Sequence, residues 1–224
     1  MTGLNPSDFW DPKFTITHRD DGSIVMEQTE PLGDYLPTLA DYLDKWADET
    51  PDANWIARRD GAGDWQYITY GQARAQARQI AGSLLSLDLG ADRPLLILSE
   101  NSLEHAVLGV ACLYAGIPYA PVSPAYSLVS TDHGKLKGIA QLLKPGAIFA
   151  DDGAAFAPAL DAIAEAGVSV INARNHLKGA LDFFDLPEGD DTDVLRARAA
   201  LGPDTVVKYL FTSGSTGGWR SMKR

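Results

Sequence analysis

The 224-residue chain is long enough for one large domain or one and a half small ones, and its 45% hydrophobic and 22% charged residues are those of a globular protein with a real core. A net charge of −11 excludes a general binder of nucleic acid or anionic membrane, and the single cysteine, Cys112, excludes an internal disulfide and fits a reducing compartment. No stretch approaches the roughly 18 apolar residues of a membrane helix, and the N-terminus lacks a basic start followed by an apolar core, so a cytoplasmic protein without a signal peptide is expected.

Phe14 to His18 and Ile24 to Gln28 read as the strands of a hairpin around Asp20-Asp21-Gly22-Ser23. Residues 1–34 are assigned to this N-terminal extension. Thr38, with Asp41 three residues on, predicts the cap of a helix that presents Leu39, Tyr42, Leu43 and Trp46 and ends before Pro51. A second hairpin pairs Trp55 to Arg58 with Trp65 to Ile68. Thr69 and Gln72 form the capping box of a helix to about Leu87. Trp46, Trp55 and Trp65 are expected in the core.

From there strands and helices alternate. Leu95 to Leu98 is a wholly apolar strand, as in a sheet covered on both faces. Asn101, with Glu104, is expected to cap a helix that Gly116 closes, before a strand from Pro118 to Val122 and a loop over Ser123 to Ser127. A helix spans about Asp132 to Leu143, a strand Ala147 to Ala150, a helix Ala154 to Ala166 ended by Gly167, and a strand Val168 to Ile171. Residues 173–203 read as a loop with a short helix near Val194 to Ala200. The pattern predicts an α/β fold with a mostly parallel sheet and flanking helices.

Val206 to Phe211 is apolar and β-branched enough for a buried strand, and it runs into Thr212-Ser213-Gly214-Ser215-Thr216-Gly217. Four hydroxyls and two glycines in six residues suit a loop that wraps an anion. Glycine lets backbone N–H groups turn inward, and the hydroxyls add donors. Phosphate is the expected guest. The Gly-Lys-Ser/Thr ending of a Walker loop is absent, and no G-x-G-x-x-G follows Leu95 to Leu98. A plain Ser/Gly turn is the competing reading of these six residues.

The run Tyr209 to Gly217 resembles the signature phosphate loop of the AMP-forming adenylating enzymes: acyl-CoA synthetases, adenylation domains and luciferases. Ile68-Thr69-Tyr70-Gly71-Gln72 resembles the family's entry into its first large helix. Leu113 to Val122, LYAGIPYAPV, resembles its second core motif. The resemblance covers about residues 35–217, read as the first part of an AMP-binding N-terminal domain. Ala120 to Ser127, APVSPAYS, is most similar to aromatic acid ligases of the feruloyl-CoA synthase type.

The resemblance implies a two-step reaction. ATP and a carboxylic acid give an acyl-adenylate and pyrophosphate, and CoA then displaces AMP to form a thioester. It places Thr212, Ser213, Gly214, Ser215, Thr216 and Gly217 on the ATP phosphates, with Mg²⁺ sharing the charge.

Beyond Gly217 the family pattern of a variable residue and Pro-Lys-Gly gives way to Gly218-Trp219-Arg220-Ser221, and the sequence stops at Arg224. Residues 218–224 are therefore read as an aberrant, disordered tail of a truncated or frame-shifted product. A lone phosphate loop is expected to bind ATP at roughly millimolar Kd or weaker and to form no thioester. Self-association through an uncovered sheet edge is a further expectation. Two other readings stand beside the ligase: a non-catalytic remnant or binding module, and an unrelated α/β nucleotide binder.

His18, His105, His133 and His176 are scattered, with no metal-ligand spacing. Cys112 is expected to be a buried thiol rather than a nucleophile. The pairs Asp20-Asp21, Asp151-Asp152 and Asp190-Asp191 are expected to support turns.

Overall fold

The computed structural model describes residues 11–212 and 221–223. The chain divides into two units, Met1–Leu36 and Pro37–Arg224.

In the first unit, β1 (Phe14–His18) and β2 (Ile24–Gln28) form an antiparallel hairpin with Ile16 opposite Met26. Its turn is held by the Asp21 carboxylate, which accepts the backbone N–H and hydroxyl of Ser23 at 2.9 and 2.6 Å, while Gly22 supplies a φ of 82°.

The second unit is built on five parallel strands: β5 (Leu95–Leu98), β6 (Tyr119–Val122), β7 (Ala147–Asp152), β8 (Ser169–Arg174) and β9 (Leu181–Asp182), in the order β6-β5-β7-β8-β9. All four pairings are parallel, as the alternating pattern requires. Successive residues of β5 serve opposite cores. Leu95 and Ile97 face α1 (Leu39–Glu49), α2 (Tyr70–Ser86), α3 (Leu103–Ala115) and α6 (Asp191–Ala199); Leu96 and Leu98 face α4 (Gly134–Leu143) and α5 (Gly153–Ile163). An apolar run with no alternation is thus the consequence of two covered faces.

Both capping boxes form, Thr38 with Asp41 on α1 and Thr69 with Gln72 on α2. The buried side of α1, however, is Ala40, Leu43 and Ala47, while Leu39 is 69% exposed and Trp46 is 40% exposed. The period is the expected one, offset by a residue, because small side chains let α1 approach α2. α3 is capped by Ser102 rather than Asn101: Ser102 is the residue whose hydroxyl reaches the N–H of His105, at 3.0 Å. Gly116 ends α3 in the left-handed region, at φ 64°. α5 stops at Ile163, and Gly167 forms a later turn at φ 86°. The two-residue strand β9 falls within the stretch read as loop.

β3 (Asn54–Arg59) and β4 (Trp65–Thr69) pair antiparallel. Trp65 is 51% exposed and lies under Arg59 rather than in the core, while Trp55 packs against it. β10 (Tyr209–Phe211) is shorter than the buried strand expected over 206–211, and Leu210 is 48% exposed. It pairs antiparallel with β11 (Ser221–Lys223), so the expectation of a wholly disordered tail does not hold for these residues.

Candidate functional site

Counted along the chain, the sheet order is 2-1-3-4-5, which places a topological switch point between β5 and β7. Ligands of open α/β sheets gather at such a point, outside the carboxyl ends of the strands. Here that edge carries Ser99 and Glu100 after β5, Ser123 and Pro124 after β6, Asp151 and Asp152 at the end of β7, and Arg174 at the end of β8. Ser99, Glu100, His105, Val122, Ser123 and Pro124 are among the residues lining a cleft of about 450 Å³.

The edge is a connected polar network. Ser99 is 5% exposed; its hydroxyl lies 2.6 Å from the Glu100 carbonyl and 3.2 Å from Ser102 Oγ. Asp151, 4% exposed, accepts a hydrogen bond from Arg174 Nη2 at 3.3 Å. Burial holds the Asp151 carboxyl above the usual carboxylate range, because desolvation outweighs the opposing pull of Arg174 and Ser99. Asp152 behaves oppositely: the N–H of Ala155 at 3.0 Å and the amide of Asn175 at 2.9 Å hold its carboxyl low. Burial lowers the His105 imidazole, whose Nδ1 lies 3.4 Å from the Glu100 carbonyl. Beneath the edge, wholly buried Asn172 donates to the carbonyls of Ala150 and Ile171 and accepts from the N–H of Leu177, each at 3.1 Å.

β10 reaches the same edge. The backbone N–H of Tyr119, on β6, donates to the Val207 carbonyl at 3.2 Å, and Tyr119 bridges to Lys208 in the parallel sense. β10 therefore continues alongside β6, with Tyr209 and Phe211 packed on the core beside Val122. Thr212, exposed, leaves its carboxyl end. Ser213, Gly214, Ser215, Thr216 and Gly217 lie outside the described residues. Thr212 is exposed at the carboxyl edge of the sheet. No three His, Cys, Asp or Glu side chains among the described residues are grouped to hold a metal ion.

Residues 43–218 match the AMP-binding enzyme family. The chain belongs to that family. Among its relatives, phosphinothricin tripeptide synthetase PhsB of Streptomyces viridochromogenes is 31% identical over 187 residues, covering 84% of this chain and 14% of that protein. A Rhodopseudomonas palustris protein described as a long-chain-fatty-acid CoA ligase has the same fold, with a TM-score of 0.66 at 18% identity over 86% of this chain and 45% of its own. The fatty acyl-adenylate ligase of L. pneumophila, solved with acyl adenylate and pyrophosphate, aligns with a TM-score of 0.60 at 17% identity, covering 83% of this chain and 30% of its own. The chain thus spans less than half the length of these relatives, and its parallel sheet and flanking helices match the N-terminal part of adenylate-forming enzymes.

Reading the residues alone missed Ser99, Asp151 and Arg174. Asp151-Asp152 read as a turn pair, but Asp151 is the last buried residue of β7, and Asp152, which ends that strand, caps α5. The available signal was the position of Asp151 at the carboxyl end of an apolar strand in an alternating chain.

Proposed function

We propose that this chain supplies the phosphate-binding part of an ATP-dependent, AMP-forming acid–CoA ligase acting on an aromatic acid such as ferulate. The observation that carries the reading is the exit of Thr212 from β10 at the carboxyl edge of the sheet, at the head of the TSGSTG segment of an AMP-binding chain. The substrate branch rests on the similarity of Ala120 to Ser127 to feruloyl-CoA synthase-type ligases.

In the first step a carboxylate oxygen of the acid attacks the α-phosphorus of ATP, and the bond to the bridging oxygen breaks to release pyrophosphate. In the second, the CoA thiolate attacks the acyl carbonyl and AMP leaves. The hydroxyls of Thr212, Ser213, Ser215 and Thr216 donate to phosphate oxygens, and Gly214 and Gly217 let backbone N–H groups approach without a Cβ between. Mg²⁺ shares the phosphate charge when bound.

A second reading, an amino-acid-adenylating unit of a peptide synthetase, is favoured by the 31% identity to PhsB. The two separate by experiment. ATP–pyrophosphate exchange by the protein carrying this segment is measured with ferulate, benzoate and a set of amino acids, and CoA-thioester formation is followed by mass. Ferulate-dependent exchange with a CoA thioester supports the ligase. Exchange with an amino acid alone supports the second reading, and no exchange with any acid overturns both.

A further inference from the structure

β10 carries the chain to Thr212, yet its backbone is fastened lightly to the parallel sheet. The strand is three residues long and stands outside the five strands joined by ladders. Among the described residues, it is tied to β6 by the hydrogen bond from the Tyr119 N–H to the Val207 carbonyl and by the isolated bridge between Tyr119 and Lys208. Where no ladder fixes a strand, its side chains must set the register. A slip of one residue would carry Thr212 about 3.3 Å along the strand, further than a hydrogen bond to a phosphate oxygen tolerates.

The side chains that hold the register lie on both faces. Tyr209 and Phe211 pack on the core beneath α4 and α5. Alternation sends Lys208 and Leu210 to the opposite face, the one covered by α3. There the half-buried Lys208 places its ammonium 5.2 Å from the centre of the Tyr119 ring. Tyr119 is 9% exposed, and its phenol lies against Gly109 of α3, where an added Cβ would stand 3.4 Å from the hydroxyl oxygen. A cation is attracted to the face of a ring, and the attraction grows as water is removed. The ring that receives Lys208 is thus fixed on β6 and α3, and Lys208 stands four residues before Thr212.

We infer that Lys208 is a positioning residue for phosphate binding. It seats β10 on the Tyr119 ring and so sets where Thr212 and the hydroxyls after it meet ATP. Its ammonium lies opposite the first residue of β6, at the amino end of that strand, so it acts through β10 rather than on the substrate. The inference rests on the phosphate reading of Thr212 to Gly217.

Two measurements test it. In the purified chain without nucleotide, hydrogen exchange of the Tyr119 amide reports how firmly β10 is seated, because that N–H is bonded to Val207. Lys208→Met keeps the length of the stem and removes the charge; it is expected to speed this exchange about fivefold or more. Lys208→Arg, which keeps a cation for the ring, is expected to stay within about twofold of wild type. In the protein carrying this segment, ATP–pyrophosphate exchange is then measured with whichever of ferulate, benzoate and the amino acids supports it. Lys208→Met is expected to raise KM for ATP about fivefold or more at an unchanged KM for the acid, and Lys208→Arg to restore it. A variant that had only lost stability would lower the rate through its folded fraction and leave both KM values in place. Unchanged Tyr119 exchange in Lys208→Met, or faster exchange with a wild-type KM for ATP, overturns the inference while Thr212→Val still reports a working phosphate loop. Wild-type activity in Thr212→Val, or no activity with any acid, overturns the phosphate reading and this inference with it.

Discussion

Arg174 Nη2 lies 3.3 Å from the Asp151 carboxylate, at the carboxyl ends of two neighbouring parallel strands, and the same turn of chain holds Asp152 in the opposite electrostatic sense. Asp151 has its carboxyl raised above the unfolded value, so its contribution to stability is largest at low pH and is lost as pH rises through the folded pKa. Asp152 is lowered, so its contribution is present above the unfolded pKa and is lost as pH falls through the folded one. Asp151→Asn should therefore gain stability relative to wild type as pH rises from acid to neutral. Asp152→Ala should cost about 1 kcal/mol at neutral pH through the lost α5 cap, and the cost should shrink in acid. Urea unfolding of the two variants across pH checks both signs.

Arg198 joins three helices. Its guanidinium pairs with Asp41 and with Asp44 on α1 and sits 4.7 Å from the centre of the Tyr114 ring on α3, whose hydroxyl also donates to Asp44. The Arg198 side chain is 19% exposed, so removal leaves two carboxylates half-desolvated without their cation. Arg198→Ala is expected to cost about 2 kcal/mol. Arg198→Lys should recover only part of it, because an ammonium cannot fork between two carboxylates and lie on a ring. Denaturant midpoints of the two variants give the comparison.

Gly189, just before α6, packs backbone to backbone on Gly82 of α2: a methyl group on Gly189 would stand 1.9 Å from the Gly82 carbonyl carbon. No flexible side chain can move aside there. Gly189→Ala should cost about 3 kcal/mol, at the upper end for overpacking, by forcing α6 off α2. Gly202, whose added methyl would meet nothing within 4 Å, serves as the neutral control.

The phosphate reading makes a kinetic prediction. Thr212→Val and Ser215→Ala should each lower carboxylate-dependent ATP–pyrophosphate exchange by about 10- to 100-fold, the range that follows loss of one hydrogen bond to a charged group. The unfolding midpoint should stay within about 0.5 kcal/mol of wild type for the exposed Thr212. Exchange at the wild-type rate in both variants would remove the loop from the site.

Cys112 is wholly buried in α3, and desolvation pushes its thiol far above the ordinary value. Labelling by an aromatic disulfide reagent should be absent in the native protein and should appear at the rate of unfolding. Fast native labelling would show that α3 opens locally.

Much of the fold was legible because the local signals agreed with the global one. Thr38-Asp41 and Thr69-Gln72 fix helix starts by hydrogen bonds made within four residues, and Leu95 to Leu98 announces two covered faces by having no polar side. The proposed phosphate-binding role of Thr212 to Gly217 rests on residue type alone. What only the tertiary structure decided depends on contacts between distant segments. The burial of Asp151 comes from neighbouring strands, its partner Arg174 lies 23 residues away, and Arg198 meets Asp41 across 157 residues. The face of α1 that is buried and the exposure of Trp65 likewise depend on which surfaces pack together. Sequence spacing along one element reports period and cap; it holds no record of which neighbour removes a side chain from water.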